Sequence, residues 1–216
     1  MIDVRNLTYT YPEADEPALI DVSLHVGAGE LCVLIGPSGC GKTTLCRRIA
    51  AGCGGAAGDA GVGFVLQEPD HQIVMTAVED DAAFGPENLL VPPGEVRARV
   101  DATLGALSLS GMELRDPGTL SGGEKQRLAI AGVLTMRPGA LLFDEPASGL
   151  DAAGRAAFCD IARELRAQGH AVLVVEHDFE FLDFADRWVL MKGGRILCDA
   201  PPADVPTALL EDELWR

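Results

Sequence analysis

An eight-residue glycine-rich motif constrains the fold of this chain more than any other feature. It reads Gly36-Pro37-Ser38-Gly39-Cys40-Gly41-Lys42-Thr43 and matches G-x-x-x-x-G-K-[ST] at every specified position. The apolar run Leu31 to Ile35 precedes it and predicts a buried strand. The segment Lys42 to Ala51 follows it and predicts a helix, because Leu45 and Ile49 share one face. A strand, a glycine-rich turn and a helix in this order predict a phosphate-binding loop.

Each residue type in the loop has a chemical reason. Glycines let the backbone wrap closely, so that successive N–H groups point at phosphate oxygens, and the helix start adds a partial positive charge. Lys42 is expected to bridge the β- and γ-phosphates, the Thr43 hydroxyl to ligate Mg²⁺, and Thr44 to contact the α-phosphate.

A second apolar strand ends in two carboxylates. Ala140 to Phe143 is followed by Asp144 and Glu145. Asp144 is expected to hold Mg²⁺, and Glu145 to polarise the water that attacks the γ-phosphate. An apolar strand that ends in acidic residues is weak evidence for a nucleotide site by itself. It becomes strong evidence when a phosphate-binding loop precedes it in the sequence. The two motifs predict an α/β fold, with the core of a P-loop NTPase (RecA-like).

Short strands and helices alternate along the rest of the chain, as expected for one α/β domain over 1–216. Between about 68 and 137 the pattern is helical, which predicts an α-helical subdomain inserted into a core of about 1–67 and 138–200, with a tail at 201–216. The predicted elements are strands at 62–66 and 171–175, helices at 95–107, 124–134 and 154–168, and a hairpin of 187–191 with 195–199.

Composition excludes several classes of protein. The chain has 216 residues, of which 48% are hydrophobic, so it is not intrinsically disordered. It has no apolar run near the ~18 residues of a membrane helix, and no secretory signal is visible. A net charge of −16 argues against nucleic acid as a partner.

The six cysteines form no CxxC pair and no metal-ligand spacing. A metal site or a disulfide framework is the alternative, but buried apolar residues in a reducing cytosol fit better. Cys40, beside loop N–H groups and Lys42, is expected to favour its thiolate if solvent reaches it.

The segment Leu120-Ser121-Gly122-Gly123-Glu124 settles the family resemblance, because it resembles the LSGGQ signature of ATP-binding cassette (ABC) ATPases with Glu124 in place of glutamine. Ser121 and two glycines precede a predicted helix and offer a hydroxyl and free N–H groups to a phosphate. Ser121 also suits a simple N-cap. The resemblance implies that two chains dimerise head to tail, each ATP lying between one phosphate loop and the partner's signature.

Other landmarks of that family fall in the same order along the chain. The resemblance implies that Gln67 contacts Mg²⁺, that Asp151 in the D-loop Ser148–Asp151 crosses the dimer interface, and that His177 contacts the γ-phosphate. Tyr11 is similar in position to the aromatic residue that stacks on adenine, with Tyr9 as the alternative. The implied catalytic residues are therefore Glu145, His177 and Gln67, and the implied metal ligands are Thr43, Gln67 and Asp144.

Two further segments, Gln67 to Val74 and Val78 to Asn88, resemble the ATPases of energy-coupling factor (ECF) importers, which include cobalt-, nickel- and vitamin-type systems. The resemblance implies a second ATPase chain, an integral membrane coupling subunit and a substrate-capture subunit, with this chain at the cytoplasmic face of the membrane. The implied docking groove lies beside Gln67 and is lined by Pro69–Val74 and the acidic run Glu79–Asp81.

Two departures from that family are visible. Only 25 positions separate Lys42 from Gln67, which predicts a reduced antiparallel β subdomain. The sequence also ends soon after the predicted hairpin, without the C-terminal extension of many ECF ATPases, and both changes are expected to weaken dimerisation without ATP.

Three alternatives compete with an ECF ATPase. Another class of ABC transporter is disfavoured only by the Gln67–Asn88 segment. A soluble ABC ATPase acting on DNA or ribosomes is disfavoured because only 54 positions separate Gln67 from Ser121, which leaves no room for a coiled coil, and because the chain has one cassette. A scaffold without hydrolysis is disfavoured by Glu145 and His177. The transported substrate, and the choice between a homodimer and a pair with a paralogue, stay open.

Overall fold

The central strands are short and apolar on both faces, which is typical of a parallel sheet covered on each side. The computed structural model describes residues 1–53, 61–176 and 183–206. Within these ranges the strands are β1 (Ile2–Tyr9), β2 (Leu19–Val26), β3 (Leu31–Ile35), β4 (Val62–Val65), β5 (Ala140–Asp144), β6 (Ala171–Glu176), β7 (Arg187–Lys192) and β8 (Arg195–Ala200). The α-helices are α1 (Lys42–Arg48), α2 (Val78–Asn88), α3 (Pro93–Ala106), α4 (Gly122–Leu134) and α5 (Ala152–Ala167).

The order of strands places three loops side by side. The main sheet runs β4-β5-β6-β3-β7-β8, and its neighbouring strands are parallel except for the β7–β8 hairpin. Ile35 at the end of β3 is level with Glu176 on β6, and Asp144 at the end of β5 is level with Val175. The chain therefore leaves β3, β5 and β6 at one edge of the sheet, where ligands bind in open α/β folds.

Alternate residues of β3 belong to different hydrophobic clusters. Leu31, Val33 and Ile35 pack with buried residues of α2 to α5 on one face. Cys32 and Leu34 pack with α1 and the β1–β2 pair on the other. The sheet is thus covered on both faces, as its continuous apolar strands require.

The antiparallel part is small, as the short spacing after Lys42 predicts. In the described ranges it consists of the two-stranded sheet of β1 and β2. The connection between these strands carries Tyr11 and Ala18 to the glycine-rich loop, where both line one cavity. The architecture agrees with the predicted α/β fold with a reduced antiparallel subdomain.

Helices occupy the stretch between β4 and β5. Helices α2, α3 and α4 pack on one another, and Val96, Val100 and Leu104 of α3 are buried, as their spacing predicts. Short 3₁₀ turns at Pro69–His71 and Pro117–Thr119 precede α2 and α4. Among the described residues, no helix combines the length and apolar character needed to cross a bilayer.

Candidate nucleotide-binding site

The glycine-rich loop follows β3 and turns into α1 through a backbone that only glycine accommodates well. Gly39 and Gly41 have φ of 78° and 111°, in the region that L side chains avoid. A Cβ at Gly36 would lie 2.2 Å from the Met191 carbonyl oxygen, and one at Gly41 would lie 2.7 Å from the Ala18 carbonyl oxygen. At Gly36 and Gly41 the loop therefore packs against β7 and the β1–β2 connection too closely for a side chain.

Lys42 is held within the loop. It is 5% exposed, and its Nζ donates hydrogen bonds to the carbonyl oxygens of Gly36 at 2.6 Å and Pro37 at 3.0 Å. A buried ammonium needs such acceptors, since burial without them is costly. The three N–H donors of the ammonium group can reorient towards phosphate oxygens, so Lys42 places a positive charge at the loop for a phosphate.

Thr43, in the first turn of α1, contacts Asp144 at the end of β5. The Thr43 Oγ1 donates to Asp144 Oδ1 at 3.4 Å, and Asp144 is 7% exposed. Burial raises the pKa of the Asp144 carboxyl, and the Thr43 hydrogen bond lowers it by less. A hydroxyl and a carboxylate are hard oxygen ligands of the kind that Mg²⁺ takes, so the pair fits that ion.

Glu145 and Gln67 also lie together. Gln67 Nε2 donates to Glu145 Oε2 at 2.9 Å, which joins the loop after β4 to the end of β5. Glu145 has φ of 48°, an uncommon conformation for a residue with a side chain, and its side chain lines the same cavity as the phosphate loop. Strain of this kind often occurs at functional sites.

Lys42, Thr43 and Glu145 line one cavity of about 390 Å³, which is within the range of small-ligand sites. Tyr11 lies at its rim, where its hydroxyl is 3.1 Å from Thr44 Oγ1 and its ring contacts the Tyr9 ring edge-on at 5.0 Å. Tyr9 packs instead under the Arg48 guanidinium, at 4.6 Å. Of the two predicted tyrosines, Tyr11 is the one that lines the cavity. The lining residues are Tyr11, Ala18, Ser38, Gly39, Gly41, Lys42, Thr43, Thr44 and Glu145.

The structure does not support a reactive Cys40. Its side chain is buried beside the Gly36 backbone, and desolvation raises the pKa of the thiol by more than the nearby Lys42 lowers it. The expected thiolate depended on access to solvent, and the thiol faces the protein interior. Cys32, Cys46, Cys159 and Cys198 are also free thiols, and the first three of these are buried.

The signature segment lies on a different part of the molecule. Ser121 is the N-cap of α4, with its Oγ accepting from Glu124 N at 3.3 Å, and a Glu124 oxygen accepts from Ser121 N at 2.7 Å. This capping box lowers the pKa of Glu124 through the backbone hydrogen bond from Ser121, and glutamine could make the same contact. Leu120 is buried, whereas Ser121 and Gly122 are exposed. Among the described residues, the signature does not line the phosphate-loop cavity.

Hydrogen bonds hold the segment after Glu145 at both of its ends. Asp151 caps α5 by accepting from Gly154 N at 2.8 Å. The carboxylate of Glu176, the last residue of β6, accepts from Ala147 N at 3.0 Å. His177 lies outside the described residues, so its expected role stays a prediction.

The acidic run Glu79–Asp81 does not act as one surface. Asp81 is buried and accepts from Val74 N and Met75 N at 2.8 and 3.1 Å, so it holds the turn before α2. Glu79 pairs with Arg97 at 2.9 Å, and Asp80 is exposed. The prediction that all three carboxylates face a partner is therefore wrong for Asp81.

The residues predicted to line one docking groove also lie on two sides of α2. Gln72, Val74 and Asp81 line a cavity of about 320 Å³ towards α4. Glu79 and Asp80 line a groove of about 590 Å³ between α2 and α3.

Two side-chain contacts that sequence reasoning missed join the Gln67 loop to α4. Gln72 accepts from Leu66 N at 2.9 Å and donates to Ala129 O at 3.2 Å. Lys125, the residue directly after the signature, pairs with Asp70 at 2.6 Å. Nothing in the sequence marks these residues as partners, because they are 55 or more positions apart and in different elements.

Comparison with known proteins gives the same family as the motifs. A family model described as ABC transporter matches residues 19–148. A putative ABC transporter ATP-binding protein of Methanosarcina mazei is 40% identical over 93% of this chain, which spans 39% of that protein's length. The energy-coupling factor transporter ATP-binding protein EcfA1 of Clostridium novyi is 37% identical over 95% of this chain and 81% of its own length.

A solved structure agrees with these relatives. The structure of cbiO1 from Clostridium perfringens, described as part of the ABC transporter complex cbiONQ, has a TM-score of 0.84 and 28% identity, over 94% of this chain and 89% of that one. Since the family match spans more than half of the chain and the Clostridium novyi relative is aligned over most of both proteins, the chain belongs to the ABC transporter ATPases and lies among the ATP-binding proteins of energy-coupling factor transporters.

Proposed function

We propose that this chain hydrolyses ATP to power an ECF-type importer of a vitamin or a transition-metal ion. The observation that carries the proposal is that Lys42, Thr43 and Glu145 line one cavity, with Asp144 bonded to Thr43 and Gln67 bonded to Glu145. The Clostridium novyi relative is named an energy-coupling factor transporter ATP-binding protein, which supports the type of importer. The division into a core of about 1–67 and 138–200 with a helical subdomain of about 68–137 belongs to the same proposal.

ATP binding uses the phosphate loop first. The backbone N–H groups of the loop face the phosphates, Lys42 exchanges its two carbonyl acceptors for β- and γ-phosphate oxygens, and Tyr11 stacks against the base. Ser38, Gly39 and Thr44 line the phosphate channel. Gly36, Pro37, Cys40 and Gly41 shape the turn that brings these groups together.

Thr43 and Asp144, with Gln67, are the residues that fit Mg²⁺, which neutralises charge on the β- and γ-phosphate oxygens when it is bound. Asp144 is a suitable ligand because its carboxylate is poorly solvated and gains a strong partner. Glu145 accepts a proton from the attacking water, and Gln67, which donates to Glu145, keeps that carboxylate oriented.

Hydrolysis takes two chains. Lys42 lies in the cavity while Ser121 lies on α4 outside it, so the two phosphate-binding helix starts serve different nucleotides. In a head-to-tail dimer, Leu120 to Glu124 of one chain closes over the phosphate loop of a copy or a paralogue, with Asp151 at the interface and His177 at the γ-phosphate. ATP-driven closure of this dimer is the step that we couple to transport.

A membrane coupling subunit and a substrate-capture subunit are the other proposed partners, and they hold the chain at the cytoplasmic face of the membrane. The docking surface that we assign is the groove between α2 and α3, about 590 Å³ in volume. Its wall combines the carboxylates of Glu79, Asp80 and Glu87 with apolar side chains such as Leu90, which is 90% exposed. Arginine-bearing helices suit such a groove, because guanidinium groups pair with carboxylates while aliphatic groups cover the apolar floor.

The decisive experiment for catalysis is Glu145→Gln. We expect the variant to bind Mg·ATP with unchanged affinity, to lose turnover by about a hundredfold or more, and to form an ATP-dependent dimer in size-exclusion chromatography, because water activation is lost while ground-state contacts remain. Wild type in EDTA is the matched control and stays monomeric without turnover. Undiminished hydrolysis by Glu145→Gln would refute the assignment of the base.

A further inference from the structure

The side chain of Glu176 is a charged group placed where charged groups are seldom found. Glu176 ends β6, is 5% exposed, and lies level with Ile35 at the start of the phosphate loop. Glutamate is rarely buried unless its oxygens have partners. Among the described residues, the lining of the phosphate-loop cavity does not include Glu176.

One partner of this carboxylate is the backbone of the segment that follows β5. Glu176 Oε1 accepts from Ala147 N at 3.0 Å, in a contact that joins residues 29 positions apart. The preceding residue of β6, Val175, accepts from Glu145 N at 2.9 Å through its carbonyl oxygen. Two successive residues of β6 therefore anchor two points of the same turn, one of them at the proposed catalytic base.

That turn is tight and is closed by backbone hydrogen bonds of its own. Glu145 has φ of 48°, Ser148 N donates to Glu145 O at 3.0 Å, and Leu150 N donates to Ala147 O at 3.2 Å. Ala147 itself is buried. Because these bonds join Glu145, Ala147 and Leu150 within one turn, a shift of Ala147 moves both the Glu145 side chain and the 148–151 segment.

We propose that Glu176 is a positioning residue for hydrolysis: its buried carboxylate fixes Ala147, and through Ala147 it sets the place of Glu145 and of the D-loop at 148–151. The inference rests on the proposed ATPase function. It predicts that the hydrogen-bond acceptor matters and that the charge does not, because an amide oxygen can accept from Ala147 N equally well.

The test compares three substitutions at Glu176. Glu176→Gln keeps an acceptor, Glu176→Met keeps the length of the side chain without one, and Glu176→Ala is the smaller alternative if Met does not fold. We expect Glu176→Gln to stay within about threefold of wild type in kcat, and Glu176→Met or Glu176→Ala to lose about tenfold or more with little change in KM. Hydrogen exchange at the Ala147 amide should be faster in the two variants that lack the acceptor.

Thr135→Val is the matched control for the loss of a buried hydrogen bond. The Thr135 hydroxyl donates to Ala82 O at 2.8 Å within the helical segment, so this variant should lose stability and keep kcat. Wild-type kcat in the Met and Ala variants, unchanged exchange at Ala147, or equal losses in the Gln and Met variants would each overturn the inference. Absence of turnover in wild type would instead refute the proposed function, and the exchange measurement would still test the contact.

Discussion

Single residues around the cavity are placed for chemistry at the expense of stability. Asp144 is the clearest case, because its carboxyl is buried, is bonded to Thr43 at the long distance of 3.4 Å, and has a pKa raised by burial. An ionised carboxylate in this setting disfavours folding when no cation is present. The motif Ala140–Glu145 predicts where Asp144 lies, but the degree to which Asp144 is desolvated follows only from the packing around the end of β5.

Replacement of Asp144 by asparagine should therefore stabilise the protein without ligands. The pKa of Asp144 is near 3.8 in the unfolded chain and is higher in the folded protein. Protonated Asp144 therefore makes its full contribution to the stability of the fold below pH 3.8, and this contribution is lost as pH rises through the folded-state pKa. We expect Asp144→Asn to melt at a higher temperature than wild type at pH 7, with a difference that disappears near pH 3.

Thermal unfolding in EDTA, followed by circular dichroism across this pH range, measures the effect. The exposed Asp15→Asn is the control for the change in net charge and should move the midpoint little at either pH. With Mg²⁺ present, Asp144→Asn should lose Mg²⁺-dependent ATP affinity. A lower midpoint for Asp144→Asn at pH 7 would contradict the account of burial.

Helices and strands follow from local pattern, whereas the contacts between them do not. The apolar runs at 31–35, 140–143 and 171–175 predict their strands closely, because a strand buried on both faces must be apolar throughout. The acidic run shows the limit of the same reasoning. Successive helical residues point about 100° apart, so Asp80 and Asp81 cannot share a face of α2. Which of them turns inward depends on Val74 and Met75, whose N–H groups need an acceptor.

The same limit applies to the site. The spacing of the motifs predicts that Lys42, Thr43, Asp144 and Glu145 converge, because the ends of parallel strands meet at one edge of a sheet. It could not predict the buried state of Cys40 or the contact of Glu176 with Ala147, since both depend on the path of a turn. Short sequence motifs therefore identify the residues that face the ligand better than they identify the residues that position those ligand-facing groups.

The inward carboxylate should be the one that stabilises the start of α2. Asp81→Ala leaves the Val74 and Met75 N–H groups without their acceptor, and we expect it to lower the free energy of unfolding by about 1–3 kcal/mol. Asp80→Ala, one residue away and exposed, should change it by less than about 0.5 kcal/mol. Urea unfolding of both variants provides the measurement. Equal effects of the two substitutions would mean that the turn before α2 does not depend on Asp81.

At the scale of the whole molecule, charge separates the two proposed interfaces. The chain carries a net charge of −16, yet the loop cavity holds Lys42 and the helix start of α1, which attract phosphate. The α2–α3 groove instead gathers carboxylates on its wall, and Arg97, its cation, is already paired with Glu79 and Asp101. An anionic nucleotide and a cationic helix are thus directed to different faces of one acidic protein.

Reversal of two groove charges should release the chain from its membrane partner and leave nucleotide binding intact. Asp80 and Glu87 line the groove and are exposed, so Asp80→Lys with Glu87→Lys places two ammonium groups against an arginine-bearing helix without disturbing Asp81. We expect co-purification with the membrane coupling subunit to fall by about tenfold or more at moderate salt, since like charges facing each other at an interface cost several kcal/mol.

Asp160→Lys with Glu164→Lys, on the exposed face of α5, is the control of equal charge change and should co-purify as wild type does. ATP affinity should be the same in all three proteins, because Lys42 lies in another cavity. Full co-purification of the groove variant would move the docking surface to the other side of α2, where Gln72 and Val74 line the second cavity.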